Sequence, residues 1–472
     1  MSDFNAFLDR MRAIVGVDWV RTDEAARREY GADGRERGYQ ADVVVCPAST
    51  AEVSDIARAC TEARVPLVPR GAGTGYSGGA VPVHGGVVLS LERMNRILEI
   101  DEVNLLAVVE PCVITGDLQD AVEARGLFYP PDPASLRVSS IGGNVAECAG
   151  GPRAFKYGVT RQYVLGLEAV LMDGEVIRTG GRVVKNVVGY DLTQLLVGSE
   201  GTLAIITRIT LRLVPRPPAV ATLRATFRSV REAVEAVSGL LRARVVPSTL
   251  EIVDGPTLDA VAASIGDRAL APEGTGAVLI LEVDGLAEQV EAEAPLVAAA
   301  CRQAGATEVR RAVDEAERDA LWRVRRGISH ALMVVAGFKI NNDIVVPRGR
   351  VPECFELVER LKAEFRLPIP SFGHAGDGNI HVNIMASPDD PDQMRRARQA
   401  EAELFRGVVA LGGAISGEHG IGTTKAHYLG LGIDEATMTM MRRVKAAFDP
   451  LGLLNPGKIF PESAPPRECY DQ

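Results

Sequence analysis

Two short segments late in the chain carry the residues best suited to chemistry: Gly373-His374-Ala375-Gly376-Asp377-Gly378-Asn379-Ile380-His381 and Gly417-Glu418-His419-Gly420. Together they hold three of the six histidines and a carboxylate. Two imidazoles and a carboxylate are an ordinary ligand set for a divalent metal with open positions. A third imidazole beside the ligand carboxylate leaves a base next to that metal. His374 and His381 are seven apart, which would place them on one helix face, but Gly376, Asp377, Gly378 and Asn379 between them disfavour helix. The spacing predicts a tight turn joining two strands, with His381 and Asn383 on one face of a strand over residues 380–385 by two-residue alternation.

A second kind of chemistry lies in the first half. Arg70-Gly71-Ala72-Gly73-Thr74-Gly75-Tyr76-Ser77-Gly78-Gly79 contains G-x-G-x-x-G from Gly73 to Gly78. A dinucleotide fingerprint of that form has to open a helix, so that the helix N-terminus meets the pyrophosphate. Here Ala80-Val81-Pro82 and Gly85-Gly86 follow, and no helix is predicted. Consecutive backbone N–H groups of such a run still form an anion-binding nest, to which Arg70 adds charge. A second loop repeats that chemistry: Pro131-Asp132-Pro133-Ala134-Ser135, then Ser139-Ser140-Ile141-Gly142-Gly143-Asn144 and Gly150-Gly151. A third, Gly198-Ser199-Glu200-Gly201-Thr202 running on to Ile206 and Thr207, sets a strand edge against a ligand. Three such loops in one region are hard to explain as independent turns.

The apolar patterning supplies the scaffold. Residues 43–45 read as a strand, Ser49 or Thr50 as the cap of a helix with Val53, Ile56, Ala57 and Cys60 at helical spacing, and 65–68 as the next strand. That β-α-β unit leads straight into the first glycine loop. Further strands are predicted at 87–91, 105–109, 164–172 and 203–214, a helix at 115–125, and loop from 132 to 158. Pro215-Arg216-Pro217-Pro218 is the clearest linker. Beyond it come helices at 229–242, 286–305 and 314–335 and strands at 249–253 and 277–283. A last helix runs from an Asp434 cap to Phe448. Phe4, Phe7, Leu8, Met11, Ile14 and Val15 make the N-terminus an amphipathic helix, and the proline-rich end is expected to fray. The domains so predicted are 1–214, 219–460 and a tail over 461–472.

Composition narrows the class. The chain has 472 residues, 46% hydrophobic and 24% charged, enough for two or three domains with full cores. Its 48 glycines cluster, which points to close backbone approach to a ligand. A net charge of −10 with no long basic run argues against a nucleic-acid surface. The seven cysteines show no CxxC spacing, so reduced, buried thiols are expected and no iron–sulfur cluster within this chain. No secretory leader pattern appears and no apolar run is long enough to span a bilayer. The expected location is cytoplasmic, peripheral to a membrane only through a partner.

The motifs Pro69-Arg70-Gly71-Ala72-Gly73-Thr74, Ser140-Ile141-Gly142-Gly143-Asn144, Gly198-Ser199-Glu200-Gly201-Thr202, Gly373-His374-Ala375-Gly376-Asp377-Gly378-Asn379 and Leu454-Asn455-Pro456-Gly457-Lys458 span nearly the whole chain. With them the chain resembles FAD-linked oxidases of the vanillyl-alcohol oxidase / p-cresol methylhydroxylase type. Within these it is most similar to the group of the glycolate oxidase D-subunit, D-lactate dehydrogenase and D-2-hydroxyglutarate dehydrogenase. The resemblance implies an α+β fold, a two-part FAD-binding domain followed by a cap domain of antiparallel sheet and helices. It assigns FAD contacts to Arg70, Gly71, Gly73, Thr74, Gly75, Ser77 and Gly78, and to Pro131, Ser135, Ser140, Ile141, Gly142, Asn144 and Gly151. Glu200, Gly201, Ile206 and Asn455 complete that set. No histidine lies between Arg70 and Gly79, so non-covalent FAD is expected.

The resemblance further assigns metal ligation to His374, His381 and Glu418, the general base to His419, and a substrate contact to Asn383. Zinc, iron and manganese all suit this ligand set. Trp322 and Arg325 match a family pair whose arginine grips the substrate carboxylate, and Ser329 meets a hydroxyl-bearing position one turn on. Because Arg323, Arg325 and Arg326 lie together, the plain alternative for Arg325 is a surface charge. Lys339 is a candidate for a second substrate carboxylate. It lies two residues further from Pro347 than the 2-hydroxyglutarate enzymes would place it, which favours a small monocarboxylate such as D-lactate or glycolate. The implied reaction takes the hydroxyl proton on His419 and passes hydride to flavin N5, giving the 2-oxo acid. Electrons then go to a partner: an iron–sulfur subunit, an electron-transfer flavoprotein or a quinone system. The alternatives are a D-2-hydroxyglutarate dehydrogenase, a flavin relay subunit without substrate oxidation, expected to lack the His–Glu–His set, and a metallohydrolase, which leaves the glycine loops unexplained.

Overall fold

The computed structural model describes residues 2–36, 38–265, 272, 274–336 and 338–461; Cys469 and the predicted tail from 462 onward lie outside them. The chain divides into two compact units, one of residues 1–150, 159–216 and 418–472, the other of residues 151–158 and 217–417.

The first unit is built on two sheets. Helix Ser2–Val15 buries Phe7, Leu8, Met11 and Val15 in a core shared with Val53, Ile56, Ala57 and Cys60 of helix Thr50–Ala63. Ser49 caps that helix, its Oγ accepting from Glu52 N at 3.2 Å. A four-stranded sheet runs Val20–Arg21, Val43–Val45, Val87–Ser90, Leu67–Arg70, the last three mutually parallel. Leu67–Arg70 is an edge strand and so tolerates Pro69. The second sheet is antiparallel, in the order Ile97–Asp101, Leu106–Val109, Ile205–Arg212, Val164–Val170, Val176–Gly180. Its two outer strands are beyond the sequence expectation: Ile97–Asp101 and Val176–Gly180 are short edges with no fully buried side chain, and charged residues interrupt their few apolar ones.

One expectation is overturned. Residues 132–158 are not all loop, for they hold helices Ile141–Glu147 and Ala154–Tyr157. Ser140 caps the former, its Oγ accepting from Gly143 N at 3.3 Å. Gly142 is there because a Cβ would lie 2.6 Å from Pro111 Cβ. The cap and the close packing outweigh the poor helix propensity of two glycines.

The second unit is a seven-stranded antiparallel sheet, in the order Glu308–Arg311, Ala219–Phe227, Ala277–Gly285, Thr249–Asp254, Ser371–His374, Asn379–Met385, Lys339–Val345. Helices Gly255–Ile265 and Glu315–Ala336 bury Leu258, Val261, Ile328 and Leu332 against Val253, Ile280, Phe372 and Met385 on one face of that sheet. Helices Val230–Arg242 and Ala287–Gln303 follow the expected pattern, whereas Val351–Phe365 and Pro391–Ala410 add to it. Residues 151–158 join this unit: Tyr157 Oη donates to Asp284 Oδ2 at 2.7 Å, and Lys156 Nζ pairs with the other carboxylate oxygen. Among the described residues no helix is long and apolar enough to cross a membrane.

Candidate functional site

In the first unit the three glycine segments converge. The first and second meet at Ser140, whose Oγ accepts from Ala72 N at 3.2 Å and fills the space that a Cβ at Gly71 would need. The first and third are tied by Asn455, whose Nδ2 donates to Gly79 O at 2.9 Å and Glu200 O at 2.8 Å. Asn144 Nδ2 donates to Thr115 Oγ1 at 2.7 Å, and Pro131 O accepts from Gln119 Nε2 at 2.9 Å. Ser135 O accepts from Val138 N and Ser139 N, both at 2.8 Å, which turns the second loop back toward Ser140. Gly73 and Gly78 take positive φ, 69° and 78°, which glycine adopts without strain. Gly201 lies against Pro69, and Ile206 is buried in the antiparallel sheet.

This framework fits a bound FAD. No atom lies within 4 Å of the Cβ position at Gly75, which leaves that side of the loop open to a ligand, while the Gly75 carbonyl is held by Gly34 N at 2.9 Å. Ser77 Oγ is buried with no hydrogen-bond partner among the described residues. A cavity of about 670 Å³ opens beside Arg70, Gly71, Ala72, Val113 and Ser140. The Arg70 guanidinium is already engaged, donating to Ala32 O at 2.6 Å and lying under Gly73 and over the Tyr30 ring.

The segment carrying Glu418 and His419 belongs to this first unit. The His419 ring stacks on Tyr76 with centroids 5.6 Å apart. Glu200 directs its carboxylate to Ile421 N and Gly422 N, at 2.8 and 2.7 Å, and so fixes the chain just past His419. Ser77 O binds the same stretch through Thr423 N at 2.9 Å. Burial, and then the charge of Glu200, pushes Glu147 well above the usual carboxylate range. Gly150 accommodates Glu418, whose Oε2 lies 2.8 Å from that glycine's Cβ position.

In the second unit, strand register decides the site. Directly paired residues share a face, and the pairs Glu251–His374, Phe372–His381, Asp343–His381 and Asn341–Asn383 put one row of polar residues on the face covered by helix Glu315–Ala336. The hairpin of Ser371–His374 and Asn379–Met385 brings the two histidine rings to 5.5 Å, nearly perpendicular. Both are buried. Arg325 is only 6% exposed, which removes the surface-charge alternative. Its Nε donates to Glu251 Oε2 at 2.5 Å, and it lies over the Phe372 ring at 4.7 Å. Ser329, one turn on, accepts from Lys339 Nζ through O at 3.0 Å and Oγ at 2.5 Å. Burial pushes Lys339 down to about 8. Asn383 Oδ1 accepts from Asn341 Nδ2 at 2.8 Å. Of the assigned FAD residues, Gly151 alone falls in this unit.

Two carboxylates behind the histidines escape the sequence patterns. Glu251 is fully buried and contacts His374 Nδ1 as well as Arg325. Burial raises its carboxyl, but Arg325 and His374 more than offset this and hold it below the usual range. Asp343 Oδ1 lies 4.0 Å from His381 Nδ1 and accepts from Asn379 Nδ2 at 2.6 Å, while Oδ2 accepts from Gly417 N at 2.9 Å. The one sequence signal was a charge inside each apolar strand, Leu250-Glu251-Ile252-Val253 and Asp343-Ile344-Val345.

The histidine pair suits a divalent cation: with Nδ1 of His374 held by a carboxylate, Nε2 is its remaining ligand atom. Comparison with known proteins is extensive. The FAD binding domain family matches residues 41–180, and the family of FAD linked oxidases, C-terminal domain, matches residues 216–459. The glycolate oxidase subunit GlcD of Bacillus subtilis (strain 168) is 45% identical over 97% of this chain and 97% of its own. A D-lactate dehydrogenase of Archaeoglobus fulgidus is 38% identical over 88% of this chain and 91% of its own. The fold is that of p-cresol methylhydroxylase, solved with substrate bound (TM-score 0.80, 20% identity, 97% of each chain). Matched along nearly its whole length, the chain belongs to the FAD-linked oxidase family and is an FAD-dependent oxidoreductase.

Proposed function

We propose that the chain oxidises a small 2-hydroxy acid, glycolate or D-lactate, to the 2-oxo acid and passes the electrons to a separate acceptor. The observation that carries this reading is the buried polar row on the second unit's sheet, His374, His381 and Asn383 beside Arg325. Relatives named for glycolate and D-lactate support the substrate class. Several relatives are named as subunits, which supports a separate electron acceptor, whether an iron–sulfur subunit, an electron-transfer flavoprotein or a quinone system.

Bound FAD supplies the two-electron acceptor, and a divalent ion on His374, His381 and Glu418 supplies a Lewis acid. The substrate loses a hydride from Cα and a proton from its hydroxyl, and His419 takes that proton. Arg325 holds the carboxylate through its Nη1 edge, since Glu251 takes the Nε and Nη2 edge. Asn383 is fixed by Asn341 and presents its amide on the same sheet face as His381. FAD is held without a covalent bond by the residues around Gly75, Ser77, Ser140 and Asn455.

A D-2-hydroxyglutarate substrate is the second reading, favoured by one observation: Lys339, at the end of the same polar row, offers a half-buried amine. Anaerobic titration of the metal-replete protein with glycolate, D-lactate, L-lactate and D-2-hydroxyglutarate, followed in the visible flavin band, tests both. Bleaching by glycolate or D-lactate and not by L-lactate is expected. Bleaching by D-2-hydroxyglutarate alone selects the second reading, and bleaching by none overturns both.

A further inference from the structure

We infer that Glu251 is a positioning residue that orients a metal-ligand histidine and the substrate-binding arginine through one carboxylate. The inference deepens the function proposed above and rests on its metal and substrate assignments. Glu251 lies in the third position of strand Thr249–Asp254, directly opposite His374 of Ser371–His374. One carboxylate oxygen contacts His374 Nδ1, and the other receives Arg325 Nε at 2.5 Å. The carboxylate is fully buried, so water does not compete for either partner.

Each contact fixes a different part of the site. A carboxylate at His374 Nδ1 keeps the proton there, which selects the tautomer whose Nε2 lone pair can bind a cation and sets the ring plane. On Arg325 the same carboxylate occupies one edge of the planar fork, so the guanidinium is turned rather than free to swing on its stem. Trp322, one helical turn before Arg325, is pinned in the same manner, its Nε1 donating to Glu282 Oε1 at 2.7 Å. Glu282 pairs with Thr249, two residues before Glu251 and on the same face. Two neighbouring strands, Thr249–Asp254 through Glu251 and Ala277–Gly285 through Glu282, therefore each anchor helix Glu315–Ala336 once on the same face. A purely structural ion pair would stabilise the sheet and helix without affecting cation affinity.

The test is E251Q in the FAD-loaded full-length chain, which keeps the side-chain volume and removes the charge. Zinc affinity is measured by chelator competition, and KM and kcat with glycolate and D-lactate. Zinc binding is expected to weaken by about 10–100-fold and KM to rise about tenfold or more, with flavin content unchanged. Unchanged zinc affinity and KM in E251Q, where the wild-type chain binds zinc and His381→Ala does not, would overturn the role of Glu251 alone. Failure of the wild-type chain to bind zinc, manganese or iron(II) would overturn the metal assignment, and the Glu251 inference with it. Should E251Q not fold, nitrogen-15 histidine spectra of the zinc-loaded wild type decide: a His374 ring protonated at Nδ1 and ligated through Nε2 is expected, and ligation through Nδ1 overturns the inference.

Discussion

At the scale of single residues, the site divides into groups that announce themselves and groups that do not. His374, His381 and Glu418 stand out as polar side chains in glycine-dense sequence. His381→Ala is expected to keep its visible flavin band while losing bound metal, measured by elemental analysis, and losing turnover by at least about a hundredfold. Glu251 and Asp343 were not legible as functional, because a carboxylate behind a histidine is defined by strand register between segments far apart in sequence. Lys339 carries a pH prediction. Burial lowers it to about 8, so the folded chain holds this proton less tightly than the unfolded chain. Raising the pH from 8 toward 10 then favours the fold at this site. Lys339→Met removes the effect, and denaturant unfolding should show the wild type gaining on the variant across that window by one to a few kcal/mol, on the order of the shift.

At the scale of elements, what could be read was whatever local sequence decides. The helix after Asp434 begins where an N-cap is expected, Asp434 accepting from Thr437 N at 2.9 Å, and the histidine hairpin forms across the expected turn. Strands Ile97–Asp101 and Val176–Gly180 and the helix at Ile141–Glu147 were not legible: the first two are short, half-buried edges interrupted by charge, and the helix owes its existence to Ser140 and to Pro111 packing on Gly142. Gly142→Ala is expected to disturb this helix and the FAD framework with it, lowering the melting temperature and the flavin-to-protein ratio. Gly373 sits in the hairpin itself, and its Cβ position is 2.3 Å from Asn379 O, a backbone atom of the partner strand. Gly373→Ala should therefore part the two histidine strands, at a cost of about 2 kcal/mol or more, seen as a lower unfolding midpoint and weaker metal binding.

At the scale of the whole molecule, the first unit is assembled from chain segments far apart in sequence. Leu454 is completely buried in the core of the N-terminal sheet and helices. Leu67 N donates to Leu453 O at 2.9 Å and Asn455 N to Leu67 O at 2.7 Å, so the C-terminal segment extends the edge of the four-stranded sheet. Lys458 Nζ reaches Val81 O at 2.8 Å. A fragment ending at residue 216 is expected to lose FAD on gel filtration, and adding residues 418–461 as a separate polypeptide should restore part of the retention. Such a result would locate the missing contacts in the C-terminal return. The return also sets a clock for synthesis. At about 5–20 residues per second, the edge at Leu67 waits on the order of 20–80 s for its partner to leave the ribosome. Throughout that interval a nascent sheet edge stands open, a template on which another chain can pair until the return segment emerges and closes it.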